Sequence, residues 1–71
     1  MTLPSAAGHP PEARAILVPA QTSLRDAGID SAALDARLLL GIVLGRDEAV
    51  LPHETLIDWT EAHRDALAGL L

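Results

Sequence analysis

The stretch Ser31-Ala32-Ala33-Leu34-Asp35-Ala36-Arg37-Leu38-Leu39-Leu40-Gly41-Ile42-Val43-Leu44-Gly45 decides the fold. At about 100° per residue, Leu34, Leu38, Leu39, Leu40, Ile42, Val43 and Leu44 surround the axis of a helix running from Ala32 to about Leu44, leaving only a narrow strip at Arg37 and Gly41. A helix apolar nearly all round is a buried one. It reads as a central rod contacted on several sides, with Leu38 in the core and Gly41 letting a neighbour approach closely. Ser31 is the expected N-cap, because its side chain can accept from the free N–H groups of the first turn. Gly45 supplies the stop.

On the N-terminal side, Ala13, Ile16, Leu17, Ala20, Leu24 and Ala27 follow helical spacing from Glu12 onward, and Gly28 ends the pattern. Pro19 lies inside it. The missing N–H and the crowded carbonyl four residues back predict a kink there, or a helix that starts late, near Val18. Residues 1–11, with Pro4, Gly8, Pro10 and Pro11, read as a flexible leader that neither holds a helix nor builds a core.

On the C-terminal side, Asp47 can cap one short turn through Leu51 before Pro52 breaks the chain. Asp58, followed three residues later by Glu61, resembles a capping box opening a last helix from Trp59 to Leu71, with Ala62, Ala66, Leu67 and Leu70 as its apolar face. The expectation is an all-α domain over residues 12–71, a small bundle of about four helices around a buried central second helix. The chain closes on Gly69-Leu70-Leu71 with no cap beyond the apolar stripe, which suggests a cut inside a longer sequence.

Composition supports this reading. Of 71 residues, 49% are hydrophobic and Trp59 is the only aromatic residue, so strand formers are few and the apolar content is too high for disorder. A chain of this length buries only about 60% of its unfolded surface, and without cysteine no disulfide or thiolate metal site can reinforce it. Ten carboxylates stand against five arginines, for a net charge of −5, which disfavours nucleic acid. The run Ala15 to Ala20 is short, broken by Pro19 and preceded by no basic segment other than Arg14. No secretory signal or membrane span is therefore expected, and the cytoplasm is the default location.

Candidate chemistry is sparse. His9 lies in the leader, His53 after Pro52 in a turn and His63 on the last helix, and no two share the i, i+4 spacing of a helical metal pair. No metal, catalytic or cofactor-binding residue is assigned. The glycines are spread over helix ends and one packing position, so no phosphate loop is present. Asp35 falls between Ile42 and Leu39 on the helical wheel and is expected to interact with the helix N-terminus or pair with an arginine such as Arg64. The expected partner-binding side carries Arg37, Arg46 and Glu48, whose charges could orient a protein without adding much affinity.

The run from Ala27 to Gly45 resembles the N-terminal domain of the HemK family, the methyltransferases that modify peptide chain release factors. In that family a first helix ends in Ala-Gly, and a loop of small residues leads to Leu-Asp-Ala and a leucine-rich helix closing in Leu-Gly. Here these are Ala27-Gly28, Leu34-Asp35-Ala36 and Leu44-Gly45, and the similarity continues more weakly through Leu51-Pro52 to cover roughly residues 12–71. The resemblance implies a full enzyme that uses S-adenosylmethionine to methylate the glutamine of the release factor's Gly-Gly-Gln loop, its Rossmann-like catalytic domain with an Asn-Pro-Pro-Tyr motif being absent from this chain. The helical domain would help recognise the release factor and sit against that catalytic domain. Pro19 departs from the family's first helix and puts its length in question. A small acidic helical domain with Asp30-Ser31 opening its second helix also resembles an acyl carrier protein with phosphopantetheine on Ser31, although Ala32 and the single acidic residue of that helix do not fit the carrier pattern. A freestanding protein-interaction module is the third expectation.

Overall fold

The computed structural model describes residues 3–4 and 8–71, and it is all-α: the described residues form three helices, α1 (Ala13–Asp26), α2 (Ala32–Val43) and α3 (Glu61–Leu70), with no strand beyond an isolated bridge between Glu12 and Thr55. α2 packs against both α1 and α3. It is central in that sense, but it is not buried all round.

α1 and α2 meet through small residues. Ala13 and Ala20 of α1 and Ala32 and Ala36 of α2 are buried, and the space around them is filled by Ile16, Leu17 and Leu24 from α1 and Leu40 from α2. Every position expected on the inner face of α1 is buried apart from Ala27, which lies past the helix end. α1 runs through Pro19 from Ala13, so the late start near Val18 does not occur. The carbonyl that Pro19 leaves without a helical donor belongs to Ala15, an exposed residue that water can reach. Only Leu67 of α3's expected face is buried; Ala62, Ala66 and Leu70 are exposed.

Both glycine stops adopt the same geometry. Gly28 has φ 86° and Gly45 has φ 76°, a left-handed conformation that costs other residues energy. Around them, Gly28 N donates to Arg25 O and Ile29 N to Leu24 O, and Gly45 N donates to Ile42 O and Arg46 N to Gly41 O, the paired bonds of a Schellman ending.

The short helical turn expected after Asp47 does not form. Between Gly45 and Pro52 too few residues remain to nucleate a helix, and the segment bonds to α2 instead: Val50 N donates to Arg37 O at 3.1 Å, and Arg37 Nε to Val50 O at 3.0 Å. This lowers the expected count of about four helices to three among the described residues.

Two helix starts are built differently from expectation. α1 has no side-chain cap at Glu12; its first N–H groups, on Ala13 and Arg14, donate to Glu54 O (2.7 Å) and Pro52 O (3.0 Å) of the distant loop. α3 begins at Glu61, because Trp59 N closes a turn onto Leu56 O and so places Asp58 inside that turn. Thr60 is the cap: its hydroxyl accepts from His63 N, and His63 Nδ1 accepts from Thr60 N, a capping box with histidine in the usual Glu position. The leader contributes although its composition gave no reason to expect it. Leu3 is buried in the core, Pro4 O accepts from Trp59 Nε1 at 3.2 Å, and Leu3 O accepts from Arg64 Nε at 3.2 Å.

Candidate partner-binding surface

Surface chemistry follows from how the loop after α2 is attached. The least apolar strip of α2, at Arg37 and Gly41, is the one the loop covers. Gly41 permits this contact: a Cβ there would overlap the Glu48 carbonyl oxygen and stand 3.4 Å from its carbon. The sequence expectation of a close approach at Gly41 holds, and the approaching group is backbone.

The residues expected to orient a partner lie along this border. Arg37 is half-buried and its Nε is engaged by Val50 O; Arg46 is half-buried and its Nη1 meets Glu54 Oε1 at 2.6 Å; Glu48 is exposed. Glu54 Oε2 also accepts from Leu51 N at 2.7 Å. That backbone bond, followed by the Arg46 contact, lowers the Glu54 pKa below its ordinary value of 4.5 against the opposing effect of burial. The two arginines thus hold the loop as well as facing solvent. Hydrogen-bonding residues in loops leave no periodic trace, so this network could not be read from spacing.

The neighbouring border of α2 is apolar and open. Leu34, Leu38 and Ile42, four residues apart, are 49%, 42% and 65% exposed, and Leu70 of α3 is 51% exposed. This corrects the placement of Leu38 in the core; the fully buried leucine of α2 is Leu40. The physical reason is that among the described residues only two other helices and one loop are available, and these cover the Ala32-Ala36-Leu40 face and the Arg37-Gly41 strip of α2. An open groove adjoins the stripe, lined by Leu24, Ile29, Asp35, Leu38, Leu39 and Leu70.

Asp35 is the only charged residue of that lining. Its Oδ2 accepts from the Ser31 hydroxyl at 3.1 Å, so Ser31 occupies the cap position but spends its donor on Asp35 and makes no side-chain cap bond. The expected pairing with Arg64 does not form: Arg64 binds Leu3 O and lies 3.9 Å from Glu61 and 3.7 Å from Asp65. Asp35 does lie in the first turn of α2, where the helix dipole favours a carboxylate.

Among the described residues no group of three or more His, Asp or Glu side chains is placed to hold a metal, and no helix is long and apolar enough to cross a membrane. His63 serves the α3 cap, with its ring centroid 6.1 Å from that of Trp59.

Comparison with known proteins returns one family model, the PrmC N-terminal domain, which matches residues 15–71. No curated protein and no solved structure matches the chain. The match spans the three helices almost whole, including the Leu34-Asp35-Ala36 and Leu44-Gly45 positions on which the HemK resemblance rests, and it lends nothing to the carrier-protein alternative.

Proposed function

The chain belongs to the PrmC N-terminal domain family, and from that membership we propose that it is the substrate-recognition domain of a protein-glutamine methyltransferase that modifies the Gly-Gly-Gln glutamine of peptide chain release factors in the cytoplasm. The family match over residues 15–71 carries this reading. An open apolar border on α2 and a charged border beside it are what a recognition module needs.

S-adenosylmethionine would be held by the catalytic domain of the full enzyme. The described residues do not fit it: they form no strand followed by a glycine-rich turn, and the helix-associated glycines serve two helix stops, one loop contact and the end of α3. No step of the methyl transfer is derived from this chain. Its role is to bind and orient. Arg37, Arg46 and Glu48 orient the release factor in this reading, Glu48 with its whole charge and the arginines with the nitrogens that the loop leaves over.

The test is a titration of the isotopically labelled 71-residue chain with purified release factor, followed by amide shifts. Weak, saturable shifts are expected, because a recognition domain apart from its catalytic partner lacks the effective-concentration gain of linked sites. Amide positions that stay still throughout would remove the proposal.

A further inference from the structure

The open border of α2 has a shape, a polarity and a charge, and together they select one kind of occupant. Leu34, Leu38 and Ile42 form an i, i+4, i+8 ridge about 12 Å long on a regular helix. Beside it runs the groove walled by Leu24 and Ile29 from the α1–α2 corner and by Leu70 from α3. A ridge of this spacing flanked by a groove is what a second helix packs against. An extended segment would find little here, since the described residues contain no strand and α2 bonds its own backbone internally, leaving no edge for strand addition.

Charge decides between partners. The chain carries −5, and Asp35, the charged residue of the groove, is bonded to a serine hydroxyl and has no cationic partner among the described residues. A second copy seated two-fold on the same face would bring Asp35 toward its own image and oppose two acidic surfaces. A cationic group, by contrast, gains both the Asp35 carboxylate and the field of the whole domain.

We propose that the Leu34-Leu38-Ile42 ridge and the groove beside it form a docking site for an amphipathic helix of a protein partner, apolar on the inner face and carrying lysine or arginine where it passes Asp35. The inference goes beyond the release-factor reading, since it names the face and the partner's chemistry and does not depend on which protein supplies the helix.

The probe is a synthetic helical peptide of about four turns, with leucines at i, i+4 and i+7 and lysines bordering that face; a second peptide replaces the lysines with glutamates. Titrated into the labelled 71-residue chain, the lysine peptide is expected to shift amides within residues 34–42 and at Leu70. The glutamate peptide should bind at least about tenfold more weakly, and Asp35→Asn should weaken the lysine peptide about fivefold, more at low salt. Ile42→Glu should weaken it at least about tenfold, and because Ile42 is exposed the variant should keep its far-ultraviolet circular dichroism; Leu34→Glu repeats the test should Ile42→Glu unfold. Shifts confined to residues 46–54, or equal binding of both peptides, would overturn the proposal. So would sedimentation showing that the unliganded chain dimerises and that Ile42→Glu abolishes the dimer, which would make a second copy the occupant.

Discussion

Replacing Gly41 with alanine tests the attachment of the loop to α2 directly. In an exposed helix interior the change would stabilise by about 1 kcal/mol, because alanine restricts the unfolded chain and glycine does not. At Gly41 the new methyl would overlap the Glu48 carbonyl, which is backbone and cannot rotate away, and it would touch Val50 Cγ2 at 3.9 Å. The loop can yield only by straining Val50 N to Arg37 O, Arg37 Nε to Val50 O and Arg46 N to Gly41 O, and by lifting the buried Val50 side chain. Overpacking of this kind costs roughly 1–3 kcal/mol, occasionally more. Set against the propensity gain, the expected net loss is up to about 2 kcal/mol, or a Tm lower by up to about 16 °C in a domain of this size. Gly69→Ala is the internal control: Gly69 is helical and nothing lies within 4 Å of its added Cβ, so that variant should be neutral or stabilised by up to about 1 kcal/mol. Urea unfolding followed by circular dichroism gives both numbers. A Gly41→Ala chain as stable as the parent, with unchanged amide shifts at residues 46–50, would refute the packing argument.

Further outcomes follow from the same contacts. Leu40→Ala should lose roughly 2–5 kcal/mol, comparable to the whole stability of so small a domain, whereas Leu38→Ala should lose about 1 kcal/mol or less because its side chain is already partly in water; equal losses in urea unfolding would contradict the assignment of the two faces. Thr60→Ala removes the α3 cap and should cost about 0.5–2 kcal/mol, with amide exchange rising first at residues 61–64. Glu54 has a folded-state pKa below its unfolded value, so the stability it contributes is fully present above about pH 4.5 and is lost as pH falls through the lowered value. Glu54→Gln should flatten that part of the stability–pH curve, and a curve unchanged in the variant would show that the carboxylate is not linked to folding.

Local pattern made the helical elements legible. The inner face of α1 is a 3.6-residue repeat of Ala13, Ile16, Leu17, Ala20 and Leu24, and each of those positions is buried. Gly28 and Gly45 end their helices because a Schellman ending needs a left-handed residue, a requirement met within four or five positions along the chain. The family resemblance was equally local, carried by Ala27-Gly28, Leu34-Asp35-Ala36 and Leu44-Gly45, and the family match covers those positions. Less legible was the surface. Arg37 and Arg46 look like free charges in the sequence, and their engagement by Val50 and Glu54 depends on where the chain returns after Gly45.

The sequence by itself therefore determined an all-α chain, the span of α2, the inner face of α1, the glycine stops of both helices and the family, since each depends on residues a few positions apart. Tertiary structure alone decided which side of α2 is covered. A helix apolar nearly all round has no preferred face in its own pattern, so the choice fell to the number of neighbours, and among the described residues two other helices with one loop are too few to surround it. It also decided that the loop would close the Arg37-Gly41 strip and that Pro52 and Glu54 carbonyls would cap α1, because these contacts are made by backbone, which every residue possesses and no residue type announces. The open Leu34-Leu38-Ile42 border follows from those choices.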